Sequence, residues 1–568
     1  YTEGTKKLKT TLQPGMFYTF VFEKVANQDS IPAEPVTSPK LATYSNPINP
    51  YNFFADPTAI EYNGRLYVYG TNDQQEFDLT DGLAANSYGK INQFVCMSTA
   101  DMVNWTNHGV IDVKTIAPWI SASWAPSIVS RVEEDGLTHF YMYFTNSAAG
   151  IGVLTATSPE GPWTDPLGRA LIDSKTPGLG TIGSIIDPGA AIKPDGSEAY
   201  LTFGGGDITS TALQPGNARI VKLGSDMISL DGDIKTISAP CHFEANELNY
   251  IGSRWVYSYC TRWSIADDWK SYSSATAPTP CSIVYMTASD PLADRWAYKG
   301  ELVPNPGRIG YPYGNNHSHL QKFGSTYYIF YHTQWLENQL GYSGGYRNVQ
   351  MNRITVAEAA AKIATLNANT ASLTGVSQLT AARVNPYEPQ LATMLAGAAG
   401  IKAENTGAVG QTCVTNISSG DWTMVRGVQF GSTDHPNGAQ SLIATLQGTG
   451  TMEVRLGDLS AEPVATLDFD SENDTTIQVN LATPITTLQN NVYFVFTKAQ
   501  NAKFYTWQYS SDSVILEGDI DGDGALTVAD ITLLINMYLD SSGKIFDIDG
   551  DGILTVSDIT ALIELYLR

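Results

Sequence analysis

The sequence predicts a mainly β chain: a five-bladed β-propeller, then a β-sandwich of jelly-roll type, then a small α-helical unit. Three observations carry this reading. Five aromatic-rich strands recur between Asn46 and Ile354, each behind a glycine turn. A second stretch, from Asn385 to Tyr509, holds short strands at turn-separated intervals. Two near-copies of one acidic loop, each followed by an apolar helical run, close the chain. The chain accordingly divides into 1–40, 41–375, 376–512 and 513–568.

The propeller rests on the repeat. The strands are Leu66 to Tyr69, Phe140 to Phe144, Ala199 to Phe203, Trp255 to Tyr259 and Tyr327 to Tyr331, preceded by Asn63-Gly64, Asp135-Gly136, Asp195-Gly196, Ile251-Gly252 and Phe323-Gly324. Asn-Gly and Asp-Gly between strand-like runs are hairpin signals, because these residues tolerate the positive φ of primed turns. Five such hairpins imply five similar sheets, and closing them into a ring removes long open edges. In a propeller the innermost strand of each blade begins beside the central channel. Reading back from the turns places Asp56-Pro57, Trp124-Ala125-Pro126, Asp187-Pro188, Glu244-Ala245 and Asn316-His317 there. Three carboxylates from different blades then share one channel mouth. That set suits inverting glycoside hydrolysis, in which one protonated carboxyl assists the leaving oxygen and one ionised carboxylate activates water. A third carboxylate can raise the acid's pKa and orient it.

After Ile354 the composition turns to an Ala- and Thr-rich connector, with a short helix expected around Val356 to Leu366. The sandwich follows, its clearest strands being Trp422 to Val425, Thr451 to Leu456 and Val492 to Phe496. In the closing unit, Asp519, Asp521, Asp523, Gly524, Thr527 and Asp530 recur 28 residues later as Asp547, Asp549, Asp551, Gly552, Thr555 and Asp558. Carboxylates at positions 1, 3, 5 and 12 of a 12-residue loop, with glycine at position 6, supply the oxygen ligands and sharp turn that a calcium ion needs. Here position 12 is Asp, and each loop has one following helix, Ile531 to Tyr538 or Ile559 to Tyr566.

The bulk properties narrow the partners. A formal net charge of -24 argues against nucleic acid and anionic membranes, which need clustered Lys and Arg. Aromatic residues make up 11% of the chain, a usage that suits stacking on sugar rings. The five cysteines have neither metal spacing nor the look of a disulfide framework. No apolar run has the length of a membrane span. Gly15 to Phe22 reads as the last strand of an upstream domain, followed by a Pro-, Ser- and Ala-rich linker to about Pro39, so a longer secreted polypeptide is expected.

At the channel residues a family resemblance emerges. Phe54-Ala55-Asp56-Pro57, Trp124-Ala125-Pro126-Ser127, Gly161-Pro162-Trp163, Ile186-Asp187-Pro188-Gly189, Phe243-Glu244-Ala245 and Asn315-Asn316-His317 resemble glycoside hydrolase family 43, in family order and over the whole propeller. The resemblance implies that Asp56 is the general base, Glu244 the general acid and Asp187 the residue that tunes and positions Glu244. It implies a sugar pocket walled by Trp124, with Arg347 nearby, and His317 at the channel centre, where many members hold a calcium ion. Asn72 and Asp73 could contact sugar hydroxyls. The next domain is similar to carbohydrate-binding module family 6, through Asn385-Pro386-Tyr387, Gly400-Ile401-Lys402, Ser419-Gly420-Asp421-Trp422 and Trp507. It departs from that family at Gln390-Leu391-Ala392-Thr393, where an acidic pair is usual, and at Asp474 to Gln478, which lacks an aromatic platform. A spacer or wedge beside the propeller fits this copy. The tandem loops resemble a type I dockerin, which implies a cohesin-bearing scaffold partner. Together these resemblances imply a secreted hydrolase that removes α-L-arabinofuranosyl groups from arabinoxylan. The alternatives are a β-xylosidase acting on xylo-oligosaccharides and a non-catalytic carbohydrate-binding component of a scaffolded complex.

Overall fold

A computed structural model of the chain describes residues 44–206, 210–292, 295–379, 383–405, 412–513, 518–521, 526–540 and 546–567. The expected upstream strand and linker in 1–40, together with Asp523 and Gly524, lie outside them.

Five antiparallel sheets form the propeller. The first blade contains Ala55–Tyr62, Arg65–Thr71, Gln93–Thr99 and Trp105–Asp112, and the second Ser123–Val132, Thr138–Asn146, Gly150–Ala156 and Ile172–Asp173. Gly189–Ile192, Ala199–Phe203, Arg219–Lys222 and Lys235–Thr236 make the third; His242–Ile251, Arg254–Thr261, Ile283–Ala288 and Ala297–Val303 the fourth. The fifth has three strands, Ser318–Phe323, Thr326–Thr333 and Asn348–Ile354. Inner strands touch around the ring, the last meeting the first.

The aromatic repeat explains the packing. Successive strand side chains point to opposite faces, so every second strand of a blade serves two blade interfaces. Tyr67 and Tyr69 pack with Phe140, Met142 and Phe144 of blade 2, while Leu66 and Val68 pack with Tyr328 and Phe330 of blade 5. Tyr141 and Tyr143 likewise face Leu201 and Phe203. Tyr200 meets Trp255 and Tyr257, and Val256 meets Ile329 and Tyr331. The ring is closed from the N-terminal side. Asn46 donates from Nδ2 to Met351 O at 2.8 Å and accepts from Met351 N at 2.8 Å, and Ile48 N donates to Val349 O.

The expected helix at Val356 to Leu366 is absent. Val356–Ala357 pairs with Lys362–Ile363 around a 3-10 turn, Glu358–Ala360, and Ile363 and Leu366 are buried with blade 4 and 5 residues. Burial of two apolar side chains on a hairpin outweighs the weak helical preference of a short alanine run.

In the sandwich the predicted strands are fragments of longer ones. Ala439–Leu456, Pro463–Ile485 and Asn490–Ser510 bend at register shifts, so that Asn490–Ser510 pairs with Trp422–Val428 near its start and with Thr412–Ile417 and Gln390–Leu391 further on. Asp474 to Gln478 lies within the exposed ribbon of Pro463–Ile485, and Trp507 is buried in the core. The sandwich joins the propeller: Met394–Leu395 pairs with Trp105–Asp112 as a fifth strand of blade 1, and Val103 packs with Ala396, Trp422 and Met424.

At the C-terminal end, the helices Val528–Asp540 and Val556–Tyr566 pack through Leu534 and Leu562, with Ile520 against both.

Candidate active site

Asp56, Trp124, Asp187, Glu244, His317 and Arg347 line one pocket, together with Thr71, Tyr88, Asn315, Asn316 and His332. Its cavity is about 130 Å³, below the roughly 300–1,000 Å³ of clefts that bury drug-sized ligands, so it suits one terminal sugar. The backbone turns at the inner-strand starts. Asp56 has φ +51°, Asp187 +52° and Ala245, beside Glu244, +60°, and register shifts occur in blades 1, 2 and 4 at these points. Such bulges re-aim side chains, here into the channel, and left-handed non-glycine residues concentrate at sites where the surroundings hold them in place.

Asp56 is nearly fully buried and well partnered. Thr71 donates its hydroxyl to Oδ2 at 2.6 Å, and Arg347 Nη1 donates to Oδ1 at 2.8 Å. The Asp56 N–H donates to His332 Nδ1 at 3.2 Å. The same nitrogen lies 3.3 Å from Asp56 Oδ1, and His332 Nε2 lies near the Asn315 oxygens. Burial would push the Asp56 carboxyl up, but Arg347, with His332 and His317 beside it, outweighs burial and holds it well below the usual range. His317 Nδ1 is 3.5 Å from Asp56 Oδ1, and burial lowers its pKa.

Asp187 and Glu244 are shifted the other way. Burial raises both, and their mutual repulsion adds to the rise of Glu244, which stands well above an ordinary glutamate. Asp187 Oδ2 accepts the Ala245 N–H at 2.7 Å, and the Asp187 backbone carbonyl accepts from Asn246 Nδ2 at 3.0 Å. Asp187 thus grips the chain immediately after Glu244. One carboxyl is shifted down and the other up, the division that general acid–base chemistry requires.

Trp124 forms part of the wall, its indole N–H donating to Tyr88 O at 2.8 Å. Arg347 is buried against the face of Tyr88, 4.8 Å from the ring centroid. Asn72 and Asp73, which could have contacted sugar, do not line the pocket: Asn72 donates to Gln93 Oε1, and Asp73 is fully buried against Arg347. Thr71, Tyr88 and His332 are the functional residues that sequence reasoning missed. A signal existed, because Thr71, Thr145 and His332 each stand at the channel end of an aromatic strand whose inner neighbour had been placed there.

The last aspartate of each acidic loop makes the same backbone hydrogen bonds. Asp530 Oδ1 accepts from Ile520 N at 2.8 Å and Asp521 N at 3.2 Å, and its Oδ2 accepts from Thr527 N at 2.7 Å. Asp558 repeats this with Ile548 N, Asp549 N and Thr555 N at 2.8, 3.3 and 2.7 Å. Asp519, Asp521 and Asp530, and likewise Asp547, Asp549 and Asp551, bring one carboxylate oxygen each within 4.8 Å of one another. Among the described residues these are the groups of three or more acidic, imidazole or thiol side chains able to share an ion, and both offer the hard oxygen donors that calcium prefers.

Comparison with known proteins agrees with this geometry. The arabinoxylan arabinofuranohydrolase of Bacillus subtilis (strain 168) is 35% identical over 510 residues, 85% of this chain and 95% of the relative. That of Paenibacillus polymyxa is 34% identical over 507 residues, 84% of this chain and 75% of the relative. A crystal structure of a glycoside hydrolase family 43 arabinoxylan arabinofuranohydrolase from Bacillus subtilis, in complex with cellotetraose, superposes with a TM-score of 0.75 over 84% of this chain and 99% of the other. Residues 392–510 match carbohydrate binding module (family 6). Residues 44–359 match glycosyl hydrolases family 43, and the chain belongs to that family.

Proposed function

We propose that the propeller hydrolyses α-L-arabinofuranosyl side groups from arabinoxylan with inversion at the anomeric carbon. The observation that carries the reading is two carboxyl groups lining one small pocket in opposed surroundings, Asp56 hydrogen-bonded by Arg347 and Thr71 and Glu244 buried near Asp187. Glu244 gives its proton to the glycosidic oxygen as the bond to the anomeric carbon breaks. Asp56 takes a proton from the water that attacks the opposite face. The similarity to two arabinoxylan arabinofuranohydrolases supports the arabinose side group as the part removed. An aromatic pair near a pocket residue in sequence offers a backbone chain a stacking surface. Trp263 and Tyr313 have ring centroids 5.6 Å apart, and Tyr313 is 51% exposed two residues from pocket-lining Asn315. A polymeric plant-wall substrate lies outside cells, which supports secretion.

The two acidic loops are proposed to bind calcium and, with their helices, to dock the chain onto a cohesin-bearing scaffold as a dockerin. The duplicated Asp530 and Asp558 hydrogen bonding supports two equivalent loops.

Product analysis tests the catalytic reading. Arabinose released from arabinoxylan, with no xylose released from xylo-oligosaccharides, is expected. Xylose release from xylo-oligosaccharides would favour the β-xylosidase, and no release from either would favour a binding component.

A further inference from the structure

Asp73 breaks a local rule. It flanks the N-terminus of the helix Gln74–Thr80, where an aspartate ordinarily accepts a hydrogen bond from the first turn, yet its side chain makes no such cap. Its carboxylate is committed elsewhere. Arg347 donates from Nε to Oδ2 at 2.9 Å, from Nη2 to Oδ1 at 2.8 Å and from its backbone N to Oδ2 at 3.1 Å. This fork-to-fork pairing fixes the guanidinium plane and leaves Nη1 for Asp56. The Tyr88 ring backs the guanidinium, and both Asp73 and Arg347 are buried. Residues that set aside a local preference without a stabilising return nearby tend to serve the site.

We propose that Asp73 is a positioning residue for the general base: it anchors Arg347, and Arg347 in turn sets the orientation and charge of Asp56. The proposal rests on the reading of Asp56 as the base. An arginine on one flexible stem has several rotamers, and a bidentate partner selects the one that aims Nη1 at Oδ1. The groups facing Asp56 are Arg347, His332 and His317 close by, with Asp187, Glu244 and Tyr88 around the pocket. Both imidazoles are held towards the neutral form by burial, which leaves Arg347 as the full cation among these residues.

This gives the test a sign. If Asp73 anchors Arg347, Asp73→Asn lets the guanidinium drift and the burial of Asp56 goes unopposed. The acidic limb of kcat/KM then moves to higher pH. If Asp73 contributed only a fixed negative charge, its removal would move that limb to lower pH. For Asp73→Asn on an aryl α-L-arabinofuranoside, kcat is expected to fall about 100-fold, the scale of penalty for misplacing a catalytic group by an ångström, with KM little changed. In an Arg347→Ala background the same substitution is expected to cost nothing further. Asp73→Ser, which leaves space for a water, replaces Asp73→Asn in both measurements if the latter does not fold. A limb that stays put or moves to lower pH, a full additive loss in the Arg347→Ala background, or a loss that tracks the folded fraction by circular dichroism would overturn the proposal. Asp56→Asn separates the two readings. Near-normal kcat there would sink the base assignment itself, whereas an inactive Asp56→Asn beside additive Asp73 and Arg347 losses sinks this proposal alone.

Discussion

Asp56 and Glu244 are both carboxylic acids, and only their neighbours separate them. Arg347 and Thr71 donate to Asp56, while burial and the neighbouring Asp187 push the Glu244 carboxyl up. Asp56→Ala and Glu244→Ala are each expected to fold and to lose about 10²–10⁴-fold in kcat, the usual worth of a positioned proton transfer. An aryl glycoside with a good leaving group needs little proton donation, so it should partly rescue Glu244→Ala and not Asp56→Ala. Equal rescue would reverse or void the assignment. The pH profile has a definite sign as well. With Glu244 as the proposed general acid, activity is expected to be lost as pH rises through its raised pKa, so the alkaline limb of kcat/KM is expected to belong to Glu244. In Glu244→Gln, assayed on the activated substrate, that limb is expected to vanish; its persistence would assign it to another group. That three carboxylates would meet in one pocket was legible in the sequence because each lies at the start of an inner strand in a recognisable dipeptide. Asp73 and His332 were not, since their partners, Arg347 and Asp56, lie 274 and 276 residues away and only ring closure brings them together.

At the scale of elements, the seam between sandwich and blade 1 is structural. Met394–Leu395 covers the outer edge of Trp105–Asp112, and Thr393 and Thr412 both donate their hydroxyls to Asn107 O, at 2.9 and 2.8 Å. Removing residues 385–568 leaves every pocket residue in place but bares a strand edge and Val103, an invitation to wrong pairing. The truncated propeller is expected to hydrolyse aryl arabinofuranosides well below its melting temperature, yet to unfold at a lower temperature and to aggregate. Met424→Ala probes the seam inside the full chain. It empties a fully buried site, which costs about 2–5 kcal/mol, and should lower the calorimetric midpoint without changing kcat. An unchanged midpoint in both variants would make the sandwich a mere appendage. The aromatic strands of the blades were legible because a period of two survives in sequence. The seam was not, since Met394-Leu395 is too short to show any period. The alanine run after Ile354 misled for the opposite reason, its local helix preference being weaker than burial of Ile363 and Leu366.

Across the whole molecule, a charge of -24 is concentrated in part on the closing unit, where two loops gather carboxylates around a very small core of Ile520, Leu534 and Leu562. Among the described residues, three buried side chains and the partly buried hydrophobics packed against them make a small core to set against the chain entropy of some 55 residues. Like charges within 4.8 Å of one another oppose folding further. On the proposal that these loops bind calcium, the ion would change both terms, because it neutralises the ligands and its binding free energy becomes folding free energy. The isolated fragment from Leu516 onward is therefore expected to be largely unfolded after chelation and to gain helical circular dichroism on titration with calcium. Asp519→Ala and Asp547→Ala should each weaken the transition, and the double variant should abolish it, because the two loops repeat the same acidic residues and each precedes one of the two packed helices. Hydrolysis by the full chain is the separate readout: a fall on chelation would locate a further ion in the channel near His317. Helicity of the fragment that is already complete in chelator would end the calcium reading of these loops, and with it the argument that this unit folds only where the ion is available.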